Sequence, residues 1–260
     1  MATSPSRGGH LAGAHVLLTG GTGFLGQALL EKLLSSYPTT RVTLLIRAKG
    51  SASGADRLEK LLRRPVFSRW RERVGEQAVK EAVAERVSVV DAELGSSALT
   101  LPADLDVAIH SASTVSFDPP IDDAFRTNVQ GVVDLYQAIR DSAARPHVVH
   151  VSTAYVAGAR RGSVPETSLD HDVDWRVELA AARAARESVE WDSRRPTVLR
   201  QALRQAQRDH GKSGPQSTSL AAERWRRDWV DKQLVEYGRL RAQTLGWPDG
   251  YTLTKALGER

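Results

Sequence analysis

The sequence predicts an α/β fold built on a doubly wound parallel sheet. Short apolar runs alternate with helical patterns through the first half of the chain, a glycine-rich turn joins the first run to the first helix, and a long helical stretch follows Gly158. With 260 residues the chain can bury one large core.

The elements follow in order. HVLLTG, His15 to Gly20, is an apolar run closed by glycine and reads as a buried strand. FLGQALLEKLLSSY then places Leu25, Leu29 and Leu33 on one helical face, with Leu30 and Leu34 beside them. RVTLLIR, Arg41 to Arg47, is a second strand, and mixed helices follow to about Glu85. RVSVVDAEL is a third strand, LDVAIHSAS a fourth, DDAFRTNVQGVVDLYQAIRDSA a helix and HVVHVSTAYVAG a fifth strand. Strands separated by helices imply right-handed crossovers and a parallel sheet. From about residue 160 to 246 no strand is expected: the segment is rich in alanine and arginine, Trp225 and Trp229 have helical spacing, and HGKSGPQSTS, His210 to Ser219, reads as a loop. This is a helical insertion within a domain spanning 15–260. MATSPSRGGHLAGA, residues 1–14, has no apolar h-region and reads as a disordered lead-in rather than a secretory signal.

Composition narrows the function classes. Hydrophobic residues make up 41% and charged residues 26%, ordinary for a globular chain. The absence of cysteine excludes disulfides, thiolate nucleophiles and cysteine metal sites, and fits a cytoplasmic location. No metal is expected. No apolar run approaches the roughly 18 residues of a membrane span. A net charge of +5 suits nucleic acid, anionic lipid or a polyphosphate ligand, or is simply an arginine-rich solvated surface. No zinc-finger, basic-zipper or ribonucleoprotein signature favours nucleic acid.

The glycine turn carries the first specific chemistry. Gly21, Gly23 and Gly26 satisfy G-x-G-x-x-G; Gly20, Gly23 and Gly26 satisfy the wider G-x-x-G-x-x-G. A strand before and a helix after make this the dinucleotide-binding arrangement of a Rossmann-like sheet, with the pyrophosphate at the helix N-terminus. The expected cofactor contacts there are Gly20, Thr22, Gly23, Phe24, Leu25 and Gly26. At the end of the second strand an NAD site usually carries an acid; this chain carries Arg47, with Lys49 next but one. A guanidinium binds a 2′-phosphate that a carboxylate would repel, so the expected cofactor is NADPH. The alternative is a surface arginine at a strand end.

Near the other end, DGYTLTK places Tyr251 and Lys255 four apart, on one face of a helix launched by GWPDG. A nearby ammonium favours the phenolate and makes tyrosine a usable proton donor and acceptor. Alone the pair reads as a solvated helix face; after a dinucleotide-binding start the catalytic reading takes over. Ser152 or Thr153, at the end of the fifth strand, can offer a hydroxyl to a reacting carbonyl, and strand alternation lets only one of them face the site. The alternative is a polar strand end bonding its own backbone.

Together TGGTGFLG, STAYV and WPDGYTLTKALGE resemble the extended short-chain dehydrogenase/reductases, and within them the fatty acyl-CoA reductases and the thioester-reductase domains of carboxylic acid reductases and peptide synthetases. The likeness runs from about His15 to Ala157 and resumes at Trp247. It implies Thr153 as the catalytic hydroxyl, Tyr251 as acid/base, Lys255 as the residue that lowers the tyrosine's pKa and holds the nicotinamide ribose, and Asn128 in TNVQG as the asparagine shaping the site. It also implies Asp91 near the adenine, and Ser111 and Ala112 along the cofactor. Ser113 departs from the family's usual alanine.

The implied reaction is NADPH-dependent reduction of a long-chain acyl-CoA or other acyl thioester to an aldehyde or alcohol. Other reductases or epimerases of nucleotide sugars or small carbonyls share the Tyr/Lys pair, and a non-catalytic NADPH-binding fragment stays open. Relatives of this kind continue with further strands and an acyl-gripping region, so the sheet is expected as C-terminally truncated with its fifth strand at an exposed edge. AAERWRRDWVDKQLVEYGRLRAQ, with Trp225, Trp229 and Tyr237 among basic residues, suits either peripheral membrane contact or packing on the core or a partner.

Overall fold

The computed structural model describes residues 11–95, 99–167 and 171–259. The chain forms two compact units. One comprises the residues through Ser113 with Gln130–Ser152; the other comprises Thr114–Val129 and the residues from Thr153 onward.

The first unit carries the sheet. In chain order it contains β1 (His15–Thr19), α1 (Phe24–Ser36), β2 (Arg41–Ile46), α2 (Gly54–Leu62), α3 (Ser68–Val74), α4 (Glu76–Arg86), β3 (Val87–Asp91) and β4 (Val107–His110). The strands run parallel in the order β3-β2-β1-β4, and β5 (His147–His150) pairs with the outer side of β4. The order reverses between β1 and β4, the switch point at which open α/β sheets hold ligands. Alternation explains the two-layer cover. Val16, Leu18, Val42, Leu44 and Ile46 face Leu30, Leu33 and Leu34 of α1, while Leu17, Leu45 and Ala108 face Leu135 and Ile139 of the helix before β5. Each fully buried aliphatic side chain contributes about 1.5–3 kcal/mol of apolar transfer. Residues 1–10 of the expected lead-in lie outside the described residues, while Leu11 accepts a hydrogen bond from the Thr40 hydroxyl at 2.5 Å.

The helix expected from DDAFRTNVQ onward is α5 (Ile121–Phe125), a π-helical turn over Arg126–Gln130 and α6 (Gly131–Asp141). The fifth strand is shorter than the sequence suggests. It ends at His150, because the Thr153 hydroxyl accepts the Tyr155 N–H at 3.3 Å and starts a 3₁₀ turn over Ala154–Ala157. Its position at the sheet edge leaves Val148 and Val149 exposed.

The second unit is helical: α5, α7 (Trp175–Asp192), α8 (Pro196–His210), α9 (Pro215–Leu245) and α10 (Gly250–Gly258). The loop expected over 210–219 shrinks, since Gly214 with φ +91° takes the N-cap and Pro215 the first helical position, a pairing that starts α9 early. The apolar core gathers Ile121, Phe125 and Val129 against Leu179, Val230, Leu234, Leu253 and Leu257. Trp229 lies partly buried against it, so α9 uses that tryptophan for packing. Gly238 of α9 allows the close approach of α5: a Cβ there would meet Ile121 at 2.8 Å.

Candidate cofactor and catalytic residues

In the sheet unit the glycine turn leaves β1 at the switch point. Gly20 has φ +72°, a left-handed conformation that glycine adopts at little cost, and a Cβ there would lie 2.6 Å from Ala112 N. A Cβ at Gly26 would lie 2.1 Å from Gly20 O, so the first turn of α1 is pressed onto the strand end. Ser111 donates to Thr19 O at 2.7 Å, and the Ala112 N–H donates to Thr19 Oγ1 at 3.2 Å. Gly20, Ser111 and Ala112 therefore meet where β1 and β4 end. The N-cap of α1 is Gly23, with no side-chain cap and no acid in the first turn. Phe24 is 91% exposed and Leu25 43% exposed at that helix start. A bare N-terminus with uncapped N–H groups, beside exposed apolar side chains, fits an anionic dinucleotide.

Arg47 is exposed at the end of β2 and pairs with Glu93 at 2.8 Å. Such surface pairs contribute about 0–1 kcal/mol, so a phosphate can displace the carboxylate. Lys49 lies two residues on, in an exposed turn bridged to Ala52. Asp91, at the end of β3, accepts the Gly54 N–H at 2.9 Å and so anchors the start of α2. From that helix Arg57 donates to Arg47 O at 2.5 Å and to Thr22 Oγ1 at 3.3 Å. Arg64 donates to Thr22 O at 3.1 Å. Sequence reading missed both arginines. Arg57 was hidden inside an amphipathic helical pattern, and only the fold brings that helix beside the glycine turn.

In the helical unit, α10 is buried along its whole length, Gly250 to Gly258. Asp249 caps it by accepting the Thr252 N–H at 2.8 Å. Tyr251 is 9% and Lys255 3% exposed. Burial pushes the Lys255 ammonium below the ordinary lysine range, with the Glu259 carboxylate opposing. The Tyr251 ring meets Phe117 edge-on, centroids 5.5 Å apart. Asn128, on the π turn and 2% exposed, donates from Nδ2 to Thr254 Oγ1 at 3.0 Å and accepts the Thr114 N–H at Oδ1, also 3.0 Å. Asn128 is thus tied to the residue preceding Lys255. Thr254 went unremarked in the sequence, although it stands inside Y-x-x-T-K. α10 packs on the 3₁₀ turn that Thr153 caps. Ser152, the other candidate hydroxyl, is buried with no hydrogen-bond partner among the described residues. Trp247 donates from Nε1 to Val156 O at 2.9 Å, and a cavity of about 310 Å³ opens beside Trp247, Ala157 and Arg160.

Residues 18–260 match the Male sterility protein family of NAD-binding domains. The chain belongs to this family. Relatives of this male sterility family chain include fatty acyl-CoA reductase 1 of Arabidopsis thaliana, 25% identical over 94% of this chain and 47% of that protein. The chloroplastic fatty acyl-CoA reductase 2 of the same plant is 28% identical over 96% of this chain and 39% of its own length. Fatty acyl-CoA reductase 1 of Xenopus laevis is 30% identical over 69% and 34% respectively. The chain spans less than half the length of these relatives. A solved structure, the terminal R domain from the myxalamid PKS-NRPS biosynthetic pathway, is 24% identical with TM-score 0.45, covering 68% of this chain and 46% of that one. Among the described residues no helix is long and apolar enough to cross a membrane.

Proposed function

We propose that this chain carries the cofactor-binding and catalytic residues of an NADPH-dependent acyl-thioester reductase acting on long-chain acyl-CoA. The observation that supports this most is α10, which holds Tyr251 and Lys255 one turn apart on a helix buried along its length. The bound cofactor supplies hydride to the thioester carbonyl. Gly20, Thr22, Gly23, Phe24, Leu25, Gly26, Ser111 and Ala112 hold the dinucleotide, and Asp91 shapes the adenine end. Arg47, with Lys49 and Arg57, takes the 2′-phosphate through charge-assisted hydrogen bonds. Tyr251 donates a proton as negative charge develops on the carbonyl oxygen, and Thr153 donates a hydrogen bond to the same oxygen. Lys255 replenishes the phenol and orients the nicotinamide ribose, and Asn128 fixes the helix that carries both. Collapse of the tetrahedral adduct then expels the thiol and leaves an aldehyde, which a second reduction converts to an alcohol.

The cavity beside Trp247 is lined by Ala157, which ends the 3₁₀ turn that Thr153 caps, and by Trp247, which precedes α10, and this supports it as a seat for part of the thioester arm. A cysteine-free chain suits the cytoplasm, and a lipid substrate suits peripheral contact with a membrane through the helical segment. The test is NADPH consumption with palmitoyl-CoA. Tyr251→Phe is expected to lower turnover by about 10²–10⁴-fold while NADPH affinity stays unchanged. Full activity in that variant refutes Tyr251 as the acid.

A further inference from the structure

The arginines of the helical unit differ in how they are paired. Arg186, Arg226 and Arg241 tie helices together: Arg186 pairs with Asp122 at 2.8 Å, Arg226 with Glu190 at 2.8 Å, and Arg241 donates to the buried Glu178 at 2.8 Å. Arg200, Arg204 and Arg208 do not. They recur every fourth residue along α8, forming one ridge, and all three are exposed. Among the described residues none of the three has a carboxylate partner; Arg208 donates only to the Gln205 side chain. The single acid on α8, Asp209, accepts from Gln205. Beside the ridge Leu199 and Leu203 are 44% and 45% exposed, one turn apart. Ala202 and Ala206, on the other side of α8, are buried where α8 packs on α9. The corner leading into α8 adds Trp191, 75% exposed.

Like charges four residues apart repel one another, so the ridge weakens the free helix by a few tenths of a kcal/mol per pair. An anionic surface removes that repulsion and also takes up the leucines. Other occupants fit less well. A second copy would set arginine against arginine. Single-stranded nucleic acid is gripped by aromatic faces interleaved with the basic residues, and between Arg200 and Arg208 α8 carries no aromatic side chain.

We infer that the outer face of α8, with Arg200, Arg204, Arg208, Leu199 and Leu203, docks on an anionic lipid membrane. The inference deepens the peripheral contact proposed above, yet vesicle binding needs neither cofactor nor turnover, so it stands or falls independently of the reductase reading.

The experiment is co-sedimentation of the 260-residue chain with phosphatidylserine-containing vesicles and with phosphatidylcholine vesicles at low salt. Binding is expected only to the anionic vesicles and is expected to weaken as salt rises. The triple variant Arg200→Gln, Arg204→Gln, Arg208→Gln loses roughly 100-fold in affinity, at about 1 kcal/mol per charge. The pair Leu199→Ala, Leu203→Ala loses several-fold. A charge-matched control elsewhere, Arg69→Gln, Lys80→Gln, Arg140→Gln, keeps near-normal binding, and far-ultraviolet dichroism confirms that every variant stays helical. Three outcomes overturn the proposal: no binding to anionic vesicles, equal loss in the control, or arginine-dependent binding to a DNA oligonucleotide without binding to vesicles.

Discussion

The sheet unit and the helical unit hold their candidate functional residues by opposite means. In the sheet unit the backbone does the positioning. Gly20 and Gly26 exist to let chain approach chain, and the atoms they bring together are carbonyls and amides at strand ends. In the helical unit side chains do it. α10 is held by a cap from Asp249, by the Asn128–Thr254 hydrogen bond and by packing against Ile121, Leu234 and Phe125. A backbone device tolerates almost no added atom, whereas a side-chain device fails in graded steps. Substitutions in each unit test that contrast.

The largest effect belongs to Gly26→Ala. Its new methyl would lie 2.1 Å from Gly20 O and 2.6 Å from Gly20 C, both backbone atoms that cannot swing aside. We expect a loss of about 3 kcal/mol or more, read as a fall in melting temperature, together with loss of NADPH binding. Gly50→Ala makes the comparison. Unlike Gly26, which is helical, it has a positive φ, +60°, but a Cβ there meets nothing within 4 Å, so backbone strain alone is expected to cost only about 1 kcal/mol. A Gly26→Ala loss no larger than that at Gly50 would mean that close approach does not govern the turn.

Arg47→Gln and Arg57→Gln come next. Each is expected to raise the NADPH dissociation constant about tenfold or more, with NADH nearly unaffected, as losing a charged hydrogen bond implies. A matched loss of NADH affinity would show instead that these arginines only hold the turn.

Asn128→Ala removes a partner from Thr254 and from the Thr114 N–H. The expected cost is about 1–3 kcal/mol, with faster hydrogen exchange confined to α10 and the π turn. Should exchange speed up across the sheet unit as well, the two units would not be distinct in their support.

The smallest effect is a pH dependence. Burial lowers the Lys255 pKa in the native state, so between the native and unfolded values the unfolded chain binds more protons. Stability therefore rises with pH through that window, the full penalty of the buried ammonium being felt below it. Lys255→Met is expected to flatten the rise in denaturant midpoints measured from neutral to alkaline pH.

The same contrast explains what could be read from residues alone. The parallel sheet, the glycine turn and the helix bearing Tyr251 and Lys255 were legible because each is a short contiguous pattern with its own periodicity or spacing. Arg57 and Thr254 were not. Arg57 matters through the Thr22 hydroxyl, 35 residues away, and Thr254 through Asn128, 126 residues away. Neither distance leaves a local signal. The early end of β5 was hidden because an apolar run continues past His150 while the Thr153 hydroxyl diverts the backbone into a turn. In the helical segment, spacing showed helices but could not tell the ion-paired arginines from the solvent-facing ridge on α8.

On the proposed reading, Arg47 at the end of β2 sets a preference for NADPH over NADH. Calorimetric titration of the wild-type chain with NADPH and with NADH tests it most directly. NADPH binding at least about tenfold tighter is the predicted result; equal affinities, or tighter binding of NADH, would contradict it.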